Sequence, residues 1–211
     1  RRYLKLALDD PLADGCGVIG GSAPDVDLCP AVPAAAGQST EDIERGCSDC
    51  RTGQAAIVVV DVGGGTCDIA VISMGQIIAS RSVDAAGRSF DRIIKDFIRR
   101  RYGLLIGDSS AEAIKEAASS LNLDDSFEVK GRNMTNALPA KVYIPVTELK
   151  DCLRGEIDKI VDGIKKVLEV TAPELASDIF DREIILTGGA SNTIGLKDRI
   201  EEKFQIRAKI A

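Results

Sequence analysis

Apolar residues change their pattern along this chain at Ala55. Beyond it, Ala56-Ile57-Val58-Val59-Val60 is a continuous, mostly β-branched run, as expected of a strand buried on both faces. A turn at Gly63-Gly64-Gly65 leads to a second strand over 68–73, and a turn at Gly75 leads to a third over 76–83. The three read as an antiparallel meander. Phe90, Ile93, Ile94, Phe97 and Ile98 then recur three and four residues apart, which predicts an amphipathic helix over 88–102. Ser109-Ser110-Ala111-Glu112 has the form of a capping box and opens a helix running to about Leu121. Short strands are expected at 126–130 and 140–144, joined through a Gly131-Arg132-Asn133 turn. Thr147 is placed to cap a long helix carrying Leu149, Leu153, Ile157, Ile160, Val161, Ile164 and Leu168 on one face. Pro173 interrupts the chain after it, and a strand at 183–187, a helix near 192–204 and a strand near 205–210 follow.

The late strands are expected to join the meander in parallel, through right-handed crossovers. The predicted fold is therefore α/β: a mixed five-stranded sheet with helices on both faces. Residues 55–84 and 146–211 build this lobe, and 85–145 form a small inserted α+β subdomain. Residues 1–54 differ, with neither helical nor alternating apolar periodicity. They hold four of the seven prolines and nine acidic against five basic residues. A poorly ordered or remnant segment is expected there.

Composition removes several function classes. With 211 residues, 45% hydrophobic and 28% charged, the chain suits one to one and a half soluble domains. Its net charge of −6 argues against nucleic acid or an anionic membrane as partner. The apolar stretch at the N-terminus is too short for a signal peptide. The chain begins with Arg1 rather than Met, so its start is expected upstream. There is no histidine, which excludes Ser-His and Cys-His nucleophilic catalysis. Cys47 and Cys50 form one C-x-x-C pair, but no second close pair accompanies it. Reduced thiols of a cytosolic protein are the expectation.

Three segments carry candidate chemistry. Asp61-Val62-Gly63-Gly64-Gly65-Thr66 lies between two predicted strands. Glycines let backbone N–H groups approach an anion, so the turn suits phosphate. Asp61 can hold hydrated Mg²⁺, which takes few carboxylates and keeps its waters, and Thr66 can add a hydroxyl. Equally, the segment can be a hairpin turn without a ligand, although three glycines exceed what a hairpin needs. Leu186-Thr187-Gly188-Gly189-Ala190-Ser191 ends a buried strand in two glycines just before a helix, and ligands of α/β sheets gather at such carboxyl ends. Glu112, Lys115, Glu116 and Ser119 share one helix face. That stripe suits either a solvated surface or a ribose and adenine edge.

Together these segments resemble the superfamily of actin, MreB and DnaK-type ATPases. Val59-Val60-Asp61-Val62-Gly63-Gly64-Gly65-Thr66 resembles its second phosphate loop, and Leu186-Thr187-Gly188-Gly189-Ala190 its adenosine loop. Between them, RYGLLIGDSSAEAIK at 101–115, Val129-Lys130-Gly131-Arg132, Ala137-Leu138-Pro139 and TAPELASDIFDR at 171–182 are similar to MreB segments. The chain is thereby identified as a member of the MreB family, bacterial actin-like cell-shape proteins, over residues 56 to about 210.

The resemblance implies a ribonuclease-H-like, actin-type lobe that binds ATP and Mg²⁺. It implies phosphate contacts from Gly63, Gly64, Gly65 and Thr66, a metal-side carboxylate at Asp61, and a glycine near the nucleotide at Gly87. Ribose and base contacts fall to Glu112, Ala113, Ile114 and Lys115, and adenosine contacts to Gly188, Gly189, Ala190 and Ser191. Ala190 stands where the family usually has a third glycine, and Arg88 where it usually has Asp. The resemblance also implies self-association into filaments, cell-wall elongation machinery as partner, and a cytoplasmic bacterial location at the inner face of the membrane. The family's membrane contact is made by its other lobe and is not expected from these residues. An Asp-x-Gly-Thr hairpin, the family's first phosphate loop, is absent from the 211 residues, so negligible hydrolysis is expected of this chain alone. Alternatives are a chaperone-type or sugar-kinase-like ATPase of the same fold, or a nucleotide-free interaction module.

Overall fold

The computed structural model describes residues 56–211. The C-x-x-C pair and the expectation for residues 1–54 fall outside the described residues. Thirteen elements follow in chain order: β1 (Ile57–Val62), β2 (Cys67–Ser73), β3 (Gln76–Val83), α1 (Gly87–Tyr102), β4 (Leu104–Leu105), α2 (Asp108–Ser119), β5 (Ser126–Asn133), β6 (Pro139–Pro145), α3 (Val146–Glu169), α4 (Pro173–Phe180), β7 (Ile184–Thr187), α5 (Leu196–Phe204) and β8 (Ala208–Ile210).

The main sheet has the order β3-β2-β1-β7-β8. β1 to β3 form the antiparallel meander, and β7 and β8 are parallel additions beside β1. The sheet is thus mixed and five-stranded, as the pattern predicts. One face presents Val58, Val60, Val62, Ile69, Val71, Ile184 and Leu186 to the main core. That core takes Leu149, Leu153, Ile157, Ile160 and Ile164 from α3, all five fully buried. The opposite face carries a smaller cluster of Ile57, Ala70 and Ile72, with Val59, Ile77 and Ile185 half-buried around it. The unbroken apolar run of β1 follows from having apolar neighbours on both sides. A second sheet, β4-β5-β6, occupies the segment between α1 and α3.

Contact between α3 and the sheet depends on one small residue. A Cβ on Gly163 would lie 2.6 Å from Val83 Cγ2 and 2.8 Å from Ile69 Cδ1. Alanine in a helix interior normally gains about 1 kcal/mol over glycine, while overfilling a packed contact costs about 1–3 kcal/mol. Gly163→Ala is therefore expected to destabilise the lobe by about 1 kcal/mol net, read from the urea midpoint. A rise in stability would show that the Val83 and Ile69 side chains yield freely.

Several predicted boundaries are corrected. The Ser109 capping box does not form, because α2 already begins at Asp108 after an extended Gly107, with no side-chain cap. Thr147 lies inside α3, whose N-cap is Pro145. Proline fits there because its fixed φ suits the entry and the first helical turn needs no N–H partner. The Gly131-Arg132-Asn133 segment is strand rather than turn, since Gly131 and Arg132 pair with Ala140 and Pro139. The turn follows it, held by N–H groups of Thr135 and Asn136 donating to Asn133 Oδ1. Pro173 opens a further helix, α4, at its first turn. The chain from 191 to 195 is turn rather than helix. Ser191 and Thr193 hydroxyls donate back to the Gly188 and Ala190 carbonyls, the local competition that keeps such residues out of helix interiors. Among the described residues, no helix is long and apolar enough to cross a membrane.

Candidate functional site

β1 and β7 run parallel, with Asp61 paired to Thr187. Their carboxyl ends therefore open at the same edge, where a parallel sheet offers a ligand crevice. Three glycine-bearing turns meet there. The first is 63–66, in which the Gly63 N–H donates to the Thr66 carbonyl at 3.0 Å. Gly64, Gly65 and Thr66 are exposed. Among the described residues, the Gly64 and Gly65 N–H groups donate to no backbone carbonyl. Exposed residues whose amides have no backbone acceptor are what an anion requires.

The second turn begins α1. The Gly87 N–H donates to the Gly63 carbonyl at 3.0 Å and the Arg88 N–H to the Gly64 carbonyl at 2.8 Å. Alongside, Ser89 Oγ accepts from the Ala86 N–H at 2.9 Å and fixes the helix start. The third turn is 188–191, where the Ala190 N–H donates to the Val62 carbonyl at 3.0 Å. Ala190 is buried, and its methyl lies 3.5 Å from where a Cβ on Gly87 would stand. The methyl thus points into the lobe and leaves the outer surface of the turn to Gly189, which is exposed. Gly188 adopts φ +92°, and a Cβ there would collide with Asp61 Oδ1 and the Val62 carbonyl.

α2 reaches this assembly through one side chain. Lys115 is buried, with Nζ 2.8 Å from Asp91 Oδ1 and 3.4 Å from the Gly87 carbonyl. Ile114 is also buried, whereas Glu112, Ala113 and Glu116 are exposed. The structure therefore joins the phosphate-type turn, Gly87 and the 188–191 turn directly, and α2 through Lys115. Asp91 was not singled out by sequence. Its position one turn after Gly87 and on the same helix face is the signal that could have found it.

Asp61 pairs across the β1–β2 ladder with Asp68. Burial, and then the neighbouring Asp68 charge, raise the Asp61 pKa above the ordinary aspartate range. The folded chain thus holds this proton more tightly than the unfolded chain does. Stability contributed by the protonated form is present at low pH and is lost as pH rises through the folded pKa. Asp61→Asn is expected to remove that loss, so that the ligand-free variant is more stable than the parent at neutral pH. Urea melts from acid to neutral pH check it, and identical profiles for the two proteins would refute it. Burial, followed by Asp68 and Asp61, also pushes the Cys67 thiol up to about 12. It stays protonated at neutral pH. Among the described residues, no group of three or more His, Cys, Asp or Glu side chains is placed to hold a metal. A site with so few carboxylates suits a hydrated cation held largely through water.

A meander joined to parallel strands, with glycine turns at their carboxyl ends and a second small sheet between two helices, defines an actin-type α/β lobe. The MreB/Mbl protein family model matches residues 47–211. The cell shape-determining protein Mbl of Bacillus subtilis is 41% identical over 157 residues, covering 73% of this chain and 47% of its own length. The cell shape-determining protein MreB of Escherichia coli is 38% identical, over 73% of this chain and 45% of its own. The crystal structure of MreB 5 of Spiroplasma citri bound to AMPPNP aligns with a TM-score of 0.73 at 33% identity, covering 82% of this chain and 52% of that one. The chain belongs to the MreB/Mbl family. It spans about half the length of the curated relatives it matches.

Proposed function

We propose that the chain binds ATP with Mg²⁺ along its three glycine turns and assembles into filaments that direct rod cell shape and cell-wall synthesis. The observation that carries the nucleotide part is the meeting of the 63–66, 87–89 and 188–191 turns at the carboxyl ends of β1 and β7, the second hydrogen-bonded to the first and the third to Val62 at the end of β1. The relatives' names as cell shape-determining proteins support the rest, as do the nucleotides in the Spiroplasma citri structures. Gly63, Gly64, Gly65 and Thr66 take the phosphates. Gly188, Gly189, Ala190 and Ser191 face the adenosine, and Gly87 closes the side between them. Glu112, Ala113, Ile114 and Lys115 form the ribose and base side, the two exposed residues by contact and the two buried ones by support. Asp61 holds the water shell of Mg²⁺, which when bound neutralises phosphate charge.

Self-association is supported by exposed large apolar residues at several places, among them Met134 and Leu138 around the β5–β6 turn and Val170 and Phe180 at the ends of α3 and α4. Contacts between different surfaces of successive copies run head to tail and propagate into a filament. The location follows from this role: the cytoplasm, at the inner face of the membrane, beside the wall-elongation machinery.

The described residues present one wall of a nucleotide cleft, so ATP affinity on the order of 1 mM and negligible turnover are expected of that wall alone. Titration with ATP-Mg²⁺ followed by backbone amide NMR checks this. Saturable shifts are expected at Gly63–Gly65 and Gly188–Ser191, and their absence would refute nucleotide binding. Micromolar affinity or sustained turnover would refute the one-wall account. Sedimentation with and without ATP-Mg²⁺ tests assembly, and pelleting independent of nucleotide would favour an interaction module instead.

A further inference from the structure

We infer that Asp91 is a positioning residue for the nucleotide's ribose and base side, acting through the Lys115 ammonium. The inference rests on the nucleotide-binding role proposed above. Lys115 is 8% exposed, and the side chains of Lys115 and Asp91 are 10% and 18% exposed. The ammonium is therefore committed to the protein rather than offered to a ligand. Its two partners are one helical turn apart on α1, so a single ammonium bridges the Asp91 carboxylate and the Gly87 carbonyl.

Gly87 and Arg88 are themselves fixed to the Gly63 and Gly64 carbonyls. A continuous path thus runs from the phosphate-type turn through Gly87 to Lys115. On the same stretch of α2, Glu112, Ala113 and Glu116 point outward. The buried end of the helix sets where its exposed end stands relative to the phosphate turn. A charge pair suits this task because removing one partner strands the other in a site with little water. Replacement of Asp91 therefore shifts α2 while leaving the Gly63 and Gly64 hydrogen bonds in place.

The test uses the full chain, amide NMR, and two probes: ATP-Mg²⁺ and inorganic tripolyphosphate-Mg²⁺. Asp91→Asn is expected to weaken ATP roughly tenfold, the scale on which groups holding a ligand's contacts tune affinity, while tripolyphosphate changes by less than about twofold. Glu112 and Ala113 lose their ATP-dependent shifts, Gly63–Gly65 keep theirs, and Asp91→Glu restores most of the loss. If Asp91→Asn fails to fold, Lys115→Met carries the same expectation without leaving a buried ammonium. Parallel losses for ATP and tripolyphosphate, or no loss for either, would overturn the positioning role while leaving nucleotide binding intact. A parent chain whose amides do not respond to ATP would overturn both.

Discussion

Gly188→Ala is expected to lose about 3 kcal/mol of stability, and with it the nucleotide response of the 63–66 turn. Two costs add. Gly188 has φ +92°, a backbone conformation that L-residues adopt only with strain of about 1–2 kcal/mol. The added methyl would also overlap Asp61 Oδ1 and the Val62 carbonyl, and overfilling of that kind costs about 1–3 kcal/mol. The overlap falls on the carboxylate proposed to hold Mg²⁺ and on the carbonyl that accepts the Ala190 N–H. Relief therefore requires the third turn to part from β1. Gly189 is the internal control: a Cβ there meets nothing within 4 Å. Gly189→Ala is expected to stay within about 0.5 kcal/mol of the parent. Urea denaturation of both variants decides the matter. Equal midpoints would show that the close approach at Gly188 is not a constraint.

Those two glycines also show where sequence stops being informative. Their adjacency after a buried strand marks a turn at a ligand edge, which is where the structure puts it. Which of the two is irreplaceable depends on φ and on the distance to Asp61, neither of which is encoded locally. The sheet was legible because β1, β2, β3 and β7 are dense in β-branched residues and bounded by glycine. α1 and α3 were legible because their apolar residues keep a period near 3.6. β4 was not, since two leucines carry no period and become a strand only by pairing with Arg132 and Asn133. Capping failed as a guide at Ser109 and Thr147, where the observed N-caps, Gly107 and Pro145, lie two residues earlier. The clearest case is Lys115. Its spacing from Glu112 and Glu116 suggests one shared polar face, yet the lysine turns inward to Asp91, a partner 24 positions away. Helical periodicity gives the direction of a Cβ, and a four-carbon stem can carry the charge elsewhere.

Phe90→Ala is expected to cost about 4 kcal/mol, since truncating a buried phenylalanine removes its transfer energy and leaves a cavity. The ring is fully buried in the main core, and α1, which carries it, packs against both α2 and α3. Total stabilities of about 5–15 kcal/mol are usual, so the loss takes between about a quarter and four fifths of the whole. Phe90→Leu keeps most of the volume and is expected to cost about 1–1.5 kcal/mol. The functional consequence differs from that at Gly188. Phe90 lies on the first turn of α1, its N–H bonded to the Ala86 carbonyl, directly after the Gly87 and Arg88 amides that grip the phosphate-type turn. Loss of the ring frees that helix end without touching the glycines themselves. Amide hydrogen exchange should therefore speed up at Gly87 and Arg88 more than at Val60, which belongs to the central strand β1. Uniform acceleration across both would mean that Phe90 contributes only to global stability, and that the start of α1 is held by its own hydrogen bonds.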